Sequence, residues 1–135
     1  MKRSMLLVDD NALLCEIVAE ELRNLGLEVH VAHDGAEAEA LLRRRHFDAA
    51  LVDFDLPHGM TGLHVARRAS KLQPSIRVIL TSGYELADLK LPAGVTFLAK
   101  PYLLSQVVVE LFRLGPSAPS RPSIATERSR DQGCA

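Results

Sequence analysis

Asp9-Asp10, Asp53, Thr81 and Lys100 each stand directly behind a short apolar run, at 5–8, 49–52, 76–80 and 95–99. If those runs lie side by side, three carboxylates, a hydroxyl and an ammonium meet in one place. Clustered carboxylates repel one another unless a cation sits among them. A set with oxygen ligands and no His or Cys favours Mg²⁺, Mn²⁺ or Ca²⁺. Mg²⁺ held by a few carboxylates, waters and a substrate phosphate suits phosphoryl transfer. The charge on a transferring phosphoryl group is neutralised by such a metal and by a second cation, here Lys100. Thr81 can donate a hydrogen bond to a phosphoryl oxygen, and an aspartate can itself be the nucleophile, giving an aspartyl phosphate. Asp53 is the candidate nucleophile because it stands alone, whereas Asp9 and Asp10 form a metal-binding pair. Singly these residues mean little, since an Asp behind a strand is commonly a helix cap or a turn. Their joint placement carries the reading.

The elements that must position them follow from periodicity. The apolar runs read as buried strands, and 28–32 reads as another. From Asn11, read as the N-cap, Leu14, Ile17, Val18, Leu22 and Leu25 recur at helical spacing, with Gly26 as the stop. Asp34 to Glu37 has the form of a capping box. It opens a helix that Arg43-Arg44-Arg45 closes, favourably for the helix dipole. The loop 55–62 is rich in Pro and Gly, and Val65, Ala66, Ala69 and Leu72 mark a helix ended by Pro74. Residues 85–90 have room only for a short helix before Pro92, and 103–114 predict a final one. Five strands alternating with helices predict a parallel sheet covered on both faces. In such a sheet the carboxyl ends of the strands share one edge, where ligands bind.

The 135 residues suffice for one domain with a core. Sixteen basic against seventeen acidic residues supply no bulk drive toward nucleic acid or an anionic membrane. No stretch approaches the roughly 20 apolar residues of a membrane span, and a cytoplasmic location is expected. Cys15 lies in a helical pattern and Cys134 in a polar tail, without metal-ligand spacing. Residues 1–115 are expected to form the domain and 116–135, rich in Pro, Ser and Arg, a disordered tail.

The segments LLVDDN (6–11), LVDFDLP (51–57), GMTGL (59–63), ILTSGY (79–84) and FLAKPY (97–102) together resemble the response-regulator receiver family over residues 4–114. The resemblance implies a (βα)5, doubly wound, flavodoxin-like fold with strand order 2-1-3-4-5. It implies a phosphoacceptor module of a two-component system rather than an enzyme. Asp53 would accept the phosphoryl group from a histidine kinase or a histidine phosphotransfer protein. Asp9, Asp10, Asp53 and the backbone carbonyl of Asp55 would hold Mg²⁺, and Lys100 would pair with the phosphate. Thr81 and Phe97 would be the switch pair, and the Lys100–Pro101 peptide would be cis. A homodimer is compatible with the resemblance, and either a stand-alone regulator or a receiver of a hybrid histidine kinase would fit. Ser82 departs from the small residue common at its position, and Asp55 adds a carboxylate. His58 reads as a solvated loop residue.

Two other readings stay open on the sequence. Asp53-Phe54-Asp55 resembles the paired aspartates of haloacid-dehalogenase-like phosphatases, though there the pair sits on the first strand. A degenerate receiver acting only as a binding module is the other, and the complete polar set speaks against it.

Overall fold

The computed structural model describes residues 2–84 and 90–112. The short helix expected over 85–90, the last two residues of the final helix, the tail and Cys134 therefore lie wholly or mainly outside the described residues. In chain order the elements are β1 (Ser4–Val8), α1 (Ala12–Asn24), β2 (Glu28–Ala32), α2 (Gly35–Arg44), β3 (Ala49–Asp53), α3 (Gly62–Leu72), β4 (Arg77–Ser82), β5 (Val95–Ala99) and α4 (Leu104–Leu111). The strands form one parallel sheet in the order β2-β1-β3-β4-β5, as the resemblance implied.

The strands are continuous apolar runs because both faces are covered. Met5, Leu7, Ala49, Leu51 and Ile79 pack on one side with Cys15, Val18, Ala19 and Leu22 of α1 and Val107 and Leu111 of α4. Their alternates Leu6, Val8, Ala50, Val52, Val78 and Leu80 pack on the other side with α2 and α3. That alternation is the two-residue period of a strand. Among the described residues no helix is long and apolar enough to cross a membrane.

The helix starts follow from their caps. Asn11 Oδ1 accepts from the Leu14 N–H at 3.0 Å and Asp34 Oδ1 from the Glu37 N–H at 2.8 Å. The return bond of the expected box is displaced by one residue, since Glu37 Oε1 accepts from the His33 N–H at 2.7 Å. Gly26 has φ +96°, the left-handed conformation that ends α1 at low cost. The fourth strand differs from its expected span. It runs to Ser82 rather than stopping at Leu80, because Thr81 and Ser82 stay in register with Leu98 and Ala99.

One side chain ties the ends of α2 and α3. Gln73 Oε1 accepts from the Phe47 N–H at 2.8 Å, and Gln73 Nε2 donates to the carbonyls of Leu42 at 2.9 Å and Arg45 at 2.7 Å. Gln73→Ala leaves three backbone groups without a partner and is expected to cost about 2–3 kcal/mol in urea unfolding. Gln73→Glu should be no better, because a carboxylate offers no donor to two carbonyls.

Candidate functional site

Parallel pairing brings the polar residues to one edge. Asp9 follows β1, Asp53 ends β3, Thr81 lies near the end of β4, and Lys100 follows β5. Asp53 pairs directly with Thr81 in register. Both continue the sheet face that carries Leu51 and Ile79, so their side chains leave the sheet on the same side. Carboxylate oxygens of Asp9, Asp10 and Asp53 lie within 4.8 Å of one another. Lys100 Nζ is 3.3 Å from Asp53 Oδ2 and 3.9 Å from Asp9 Oδ2. The Lys100–Pro101 peptide is cis.

The local chain fixes these groups. Asp9 Oδ1 accepts from the Asn11 N–H at 3.0 Å, and Asp53 Oδ1 from the Asp55 N–H at 3.2 Å. Each aspartate thereby braces the turn that follows its own strand, as Asx turns do. Asp9 and Asp53 are each only 7% exposed, whereas Asp10 and Asp55 are open to solvent. Gly62 lets the loop after β3 return against Asp53. A Cβ there would lie 2.7 Å from the Asp53 carbonyl carbon and from Phe54 Cα. At the far side of the loop Met60 packs on Gly35 at the start of α2.

Burial pushes the Asp53 carboxyl above its usual range; the Lys100 ammonium pulls it back, and the Asp9 carboxylate adds to the rise. The same charge reaches its neighbours. Burial raises the Tyr102 phenol to about 12 and the Cys15 thiol to about 11, and the carboxylates of Asp9 and Asp53 add to both. The site is thus an anionic cluster only partly compensated by Lys100. Three carboxylates face one ammonium, and the donors are oxygens throughout, which fits a hard divalent cation. Asp9, Asp10 and Asp53 could hold it with side chains.

The remaining candidates are placed as follows. The Asp55 carboxylate is not part of the cluster; its N–H meets Asp53. Thr81 Oγ1 donates to the Val52 carbonyl at 3.4 Å and is therefore turned toward the β3 backbone. Phe97 is half-buried on β5, opposite Leu80. His58 sits on the loop with φ +66°, its side chain 77% exposed and its Nε2 3.9 Å from Asp34 Oδ2. Sequence reasoning passed over Tyr102 and Cys15 as neighbours of the acidic cluster. No spacing rule signals them; they arrive there because α1 and the chain after β5 pack on the same sheet face.

The response regulator receiver domain family matches residues 5–111. The chain is 32% identical over 113 residues to the probable transcriptional regulatory protein TcrX of Mycobacterium tuberculosis, covering 80% of this chain and 47% of that one. It thus spans about half of TcrX. It is 29% identical over 118 residues to the response regulator receiver protein CpdR of Brucella abortus, covering 84% of this chain and 97% of that protein. Among solved structures, the response regulator protein TrrA of Thermotoga maritima, in complex with Mg²⁺ and BeF, superposes with a TM-score of 0.71 at 29% identity. That match covers 81% of this chain and 98% of the other.

Proposed function

The chain belongs to the response regulator receiver domain family of two-component systems, and from that premise we propose that it is a phosphoacceptor using Asp53. The observation that carries the reading is the Lys100 ammonium 3.3 Å from the Asp53 carboxylate, with Asp9 and Asp10 beside it. An Asp53 oxygen attacks the phosphorus of a phosphohistidine on a histidine kinase or a phosphotransfer protein. The P–N bond breaks and its electron pair returns to the imidazole. A divalent cation, Mg²⁺ by the chemistry of the donors and by likeness to TrrA, would spread the charge of the phosphoryl oxygens when bound. Asp9, Asp10, Asp53 and the Asp55 carbonyl are its proposed ligands. Lys100 neutralises the remaining charge. Burial of Asp53 lowers the dielectric around it, which strengthens each of these interactions.

Thr81 is the proposed reporter of the phosphoryl group. Its hydroxyl, now on Val52, would turn to a phosphoryl oxygen, and Phe97 would reorient beside it. A pre-existing equilibrium between two arrangements would shift accordingly. The phosphatase reading would need the Asp55 carboxyl as general acid at the Asp53 centre, and it is the Asp55 N–H that meets Asp53.

Intact mass after incubation with Mg²⁺ and acetyl phosphate tests the reading. One phosphoryl group per chain is expected, and none when a chelator removes the metal. A label mapped to any residue other than Asp53, or uptake that survives the chelator, would reject it. Silence with every donor would favour the binding-module reading.

A further inference from the structure

The residue after Thr81 is tied more firmly than a strand end requires. Ser82 closes β4 and is fully buried, at 0% exposure. A buried hydroxyl costs free energy unless it is bonded. Ser82 Oγ accepts from the Tyr84 N–H at 3.0 Å, two residues on. The Ser82 carbonyl accepts from the Lys100 N–H at 2.9 Å, and the Thr81 carbonyl from the Phe54 N–H at 2.7 Å. The Thr81-Ser82 pair is thus bound to the segment behind Asp53 on one side and to Lys100 on the other. The Ser82–Tyr84 bond adds a third tie. It fixes the direction in which the chain leaves β4, while the Tyr84 side chain stays in solvent. An alanine at 82 would keep the two backbone bonds and lose only that one.

We propose that Ser82 is a positioning residue whose hydroxyl latches the exit of β4 and raises the cost of moving Thr81 onto a phosphoryl group at Asp53. This rests on the phosphoacceptor reading above. Thr81 is 2% exposed, so exchanging its hydroxyl and methyl in place drives one of them into packed atoms. The backbone of 81–84 must yield when the Thr81 hydroxyl leaves Val52. The bond from Tyr84 to Ser82 resists that displacement and holds the resting arrangement.

The test compares the full chain with Ser82→Ala and Ser82→Thr. Two readouts are taken by NMR: amide hydrogen exchange at Tyr84, and the affinity for beryllium fluoride with Mg²⁺ as a phosphoryl mimic. In Ser82→Ala the Tyr84 amide should exchange faster. The mimic should bind about fivefold tighter, the factor corresponding to one net hydrogen bond. Ser82→Thr keeps the hydroxyl but adds a methyl in a fully buried site; it should lower Tm yet leave Tyr84 exchange and mimic affinity close to those of the wild-type chain. A residue that merely stabilised the fold would lower Tm in Ser82→Ala without tightening binding. Unchanged Tyr84 exchange would mean there is no latch. Faster exchange with unchanged or weaker binding would mean that the latch does not oppose the switch. If the wild-type chain binds no mimic, the phosphoacceptor reading fails and the coupling with it, while Tyr84 exchange still reports on the bond itself.

Discussion

Asp53→Asn is expected to take up no phosphoryl group and, in chelator, to melt at a higher temperature than the wild-type chain. The loss of uptake follows from chemistry, since an amide oxygen is a poor nucleophile toward phosphorus and its adduct is not an aspartyl phosphate. The gain in stability follows from the electrostatics. Burial and the Asp9 carboxylate raise the Asp53 carboxyl, and Lys100 only partly opposes them. A carboxyl raised on folding favours the folded state while protonated. That contribution is complete below the unfolded value, about 4, and is lost as pH rises through the folded value. At neutral pH the wild-type chain therefore carries an ionised, desolvated group that Asn replaces without charge. The Tm difference should widen as pH rises from about 4 and level off above the folded pKa. Mg²⁺ should narrow it by stabilising the wild-type chain through binding. Scanning calorimetry over pH, with and without Mg²⁺, checks each part. A variant less stable than wild type in chelator at neutral pH would show that Lys100 outweighs burial and repulsion together.

Gly62→Ala should be among the most damaging single-methyl changes in the domain. The new Cβ meets backbone, the carbonyl of Asp53 and Cα of Phe54, and not the movable end of a side chain. Gly62 also donates its N–H to the Phe54 carbonyl at 2.8 Å, which prevents an easy retreat. Overpacking of this kind costs about 2–3 kcal/mol, a fall in Tm on the order of 10 °C for a domain of this size. Because the displaced atoms belong to Asp53, phosphoryl uptake should slow as well in the folded fraction. Gly83→Ala is the control. A methyl there meets nothing within 4 Å, so it should not lower Tm. Equal melting of the two variants would show that the loop after β3 shifts freely and does not brace Asp53.

The latch at Ser82 and the brace at Gly62 act on the same small region from opposite sides. Gly62 sets where Asp53 stands, and Ser82 sets how readily Thr81 leaves Val52 to meet it. Asp53 and Thr81 are paired in register, so both effects converge on one contact between neighbouring strands.

The sequence by itself determined the elements and the roster of the site. Strands show as apolar runs because a parallel sheet buries both faces. Helix starts show at Asn11 and Asp34 because a cap is settled within three residues of chain. Asp9, Asp10, Asp53, Thr81 and Lys100 could be named together because every parallel strand delivers its following residue to the same edge. Asp53 as acceptor and Asp9-Asp10 as a metal pair were read from residue type and placement, whereas the Thr81–Phe97 switch and the Asp55 carbonyl ligand came from family resemblance; all remain proposals. Tertiary structure alone decided the rest. Strand 4 runs on through Thr81 and Ser82 because β5 pairs with it there, a contact no local pattern encodes. Gln73 reaches Phe47 across 26 positions, and Lys100 reaches Asp53 across the sheet. The fit of Gly62 under Asp53, the rotation of Thr81 toward Val52, and the place of Tyr102 and Cys15 beside the acidic cluster depend on how packed faces meet. Periodicity and capping are set by neighbours a few residues away. Distances, burial and the resulting shift at Asp53 are set by residues brought together only when the sheet closes over its two cores.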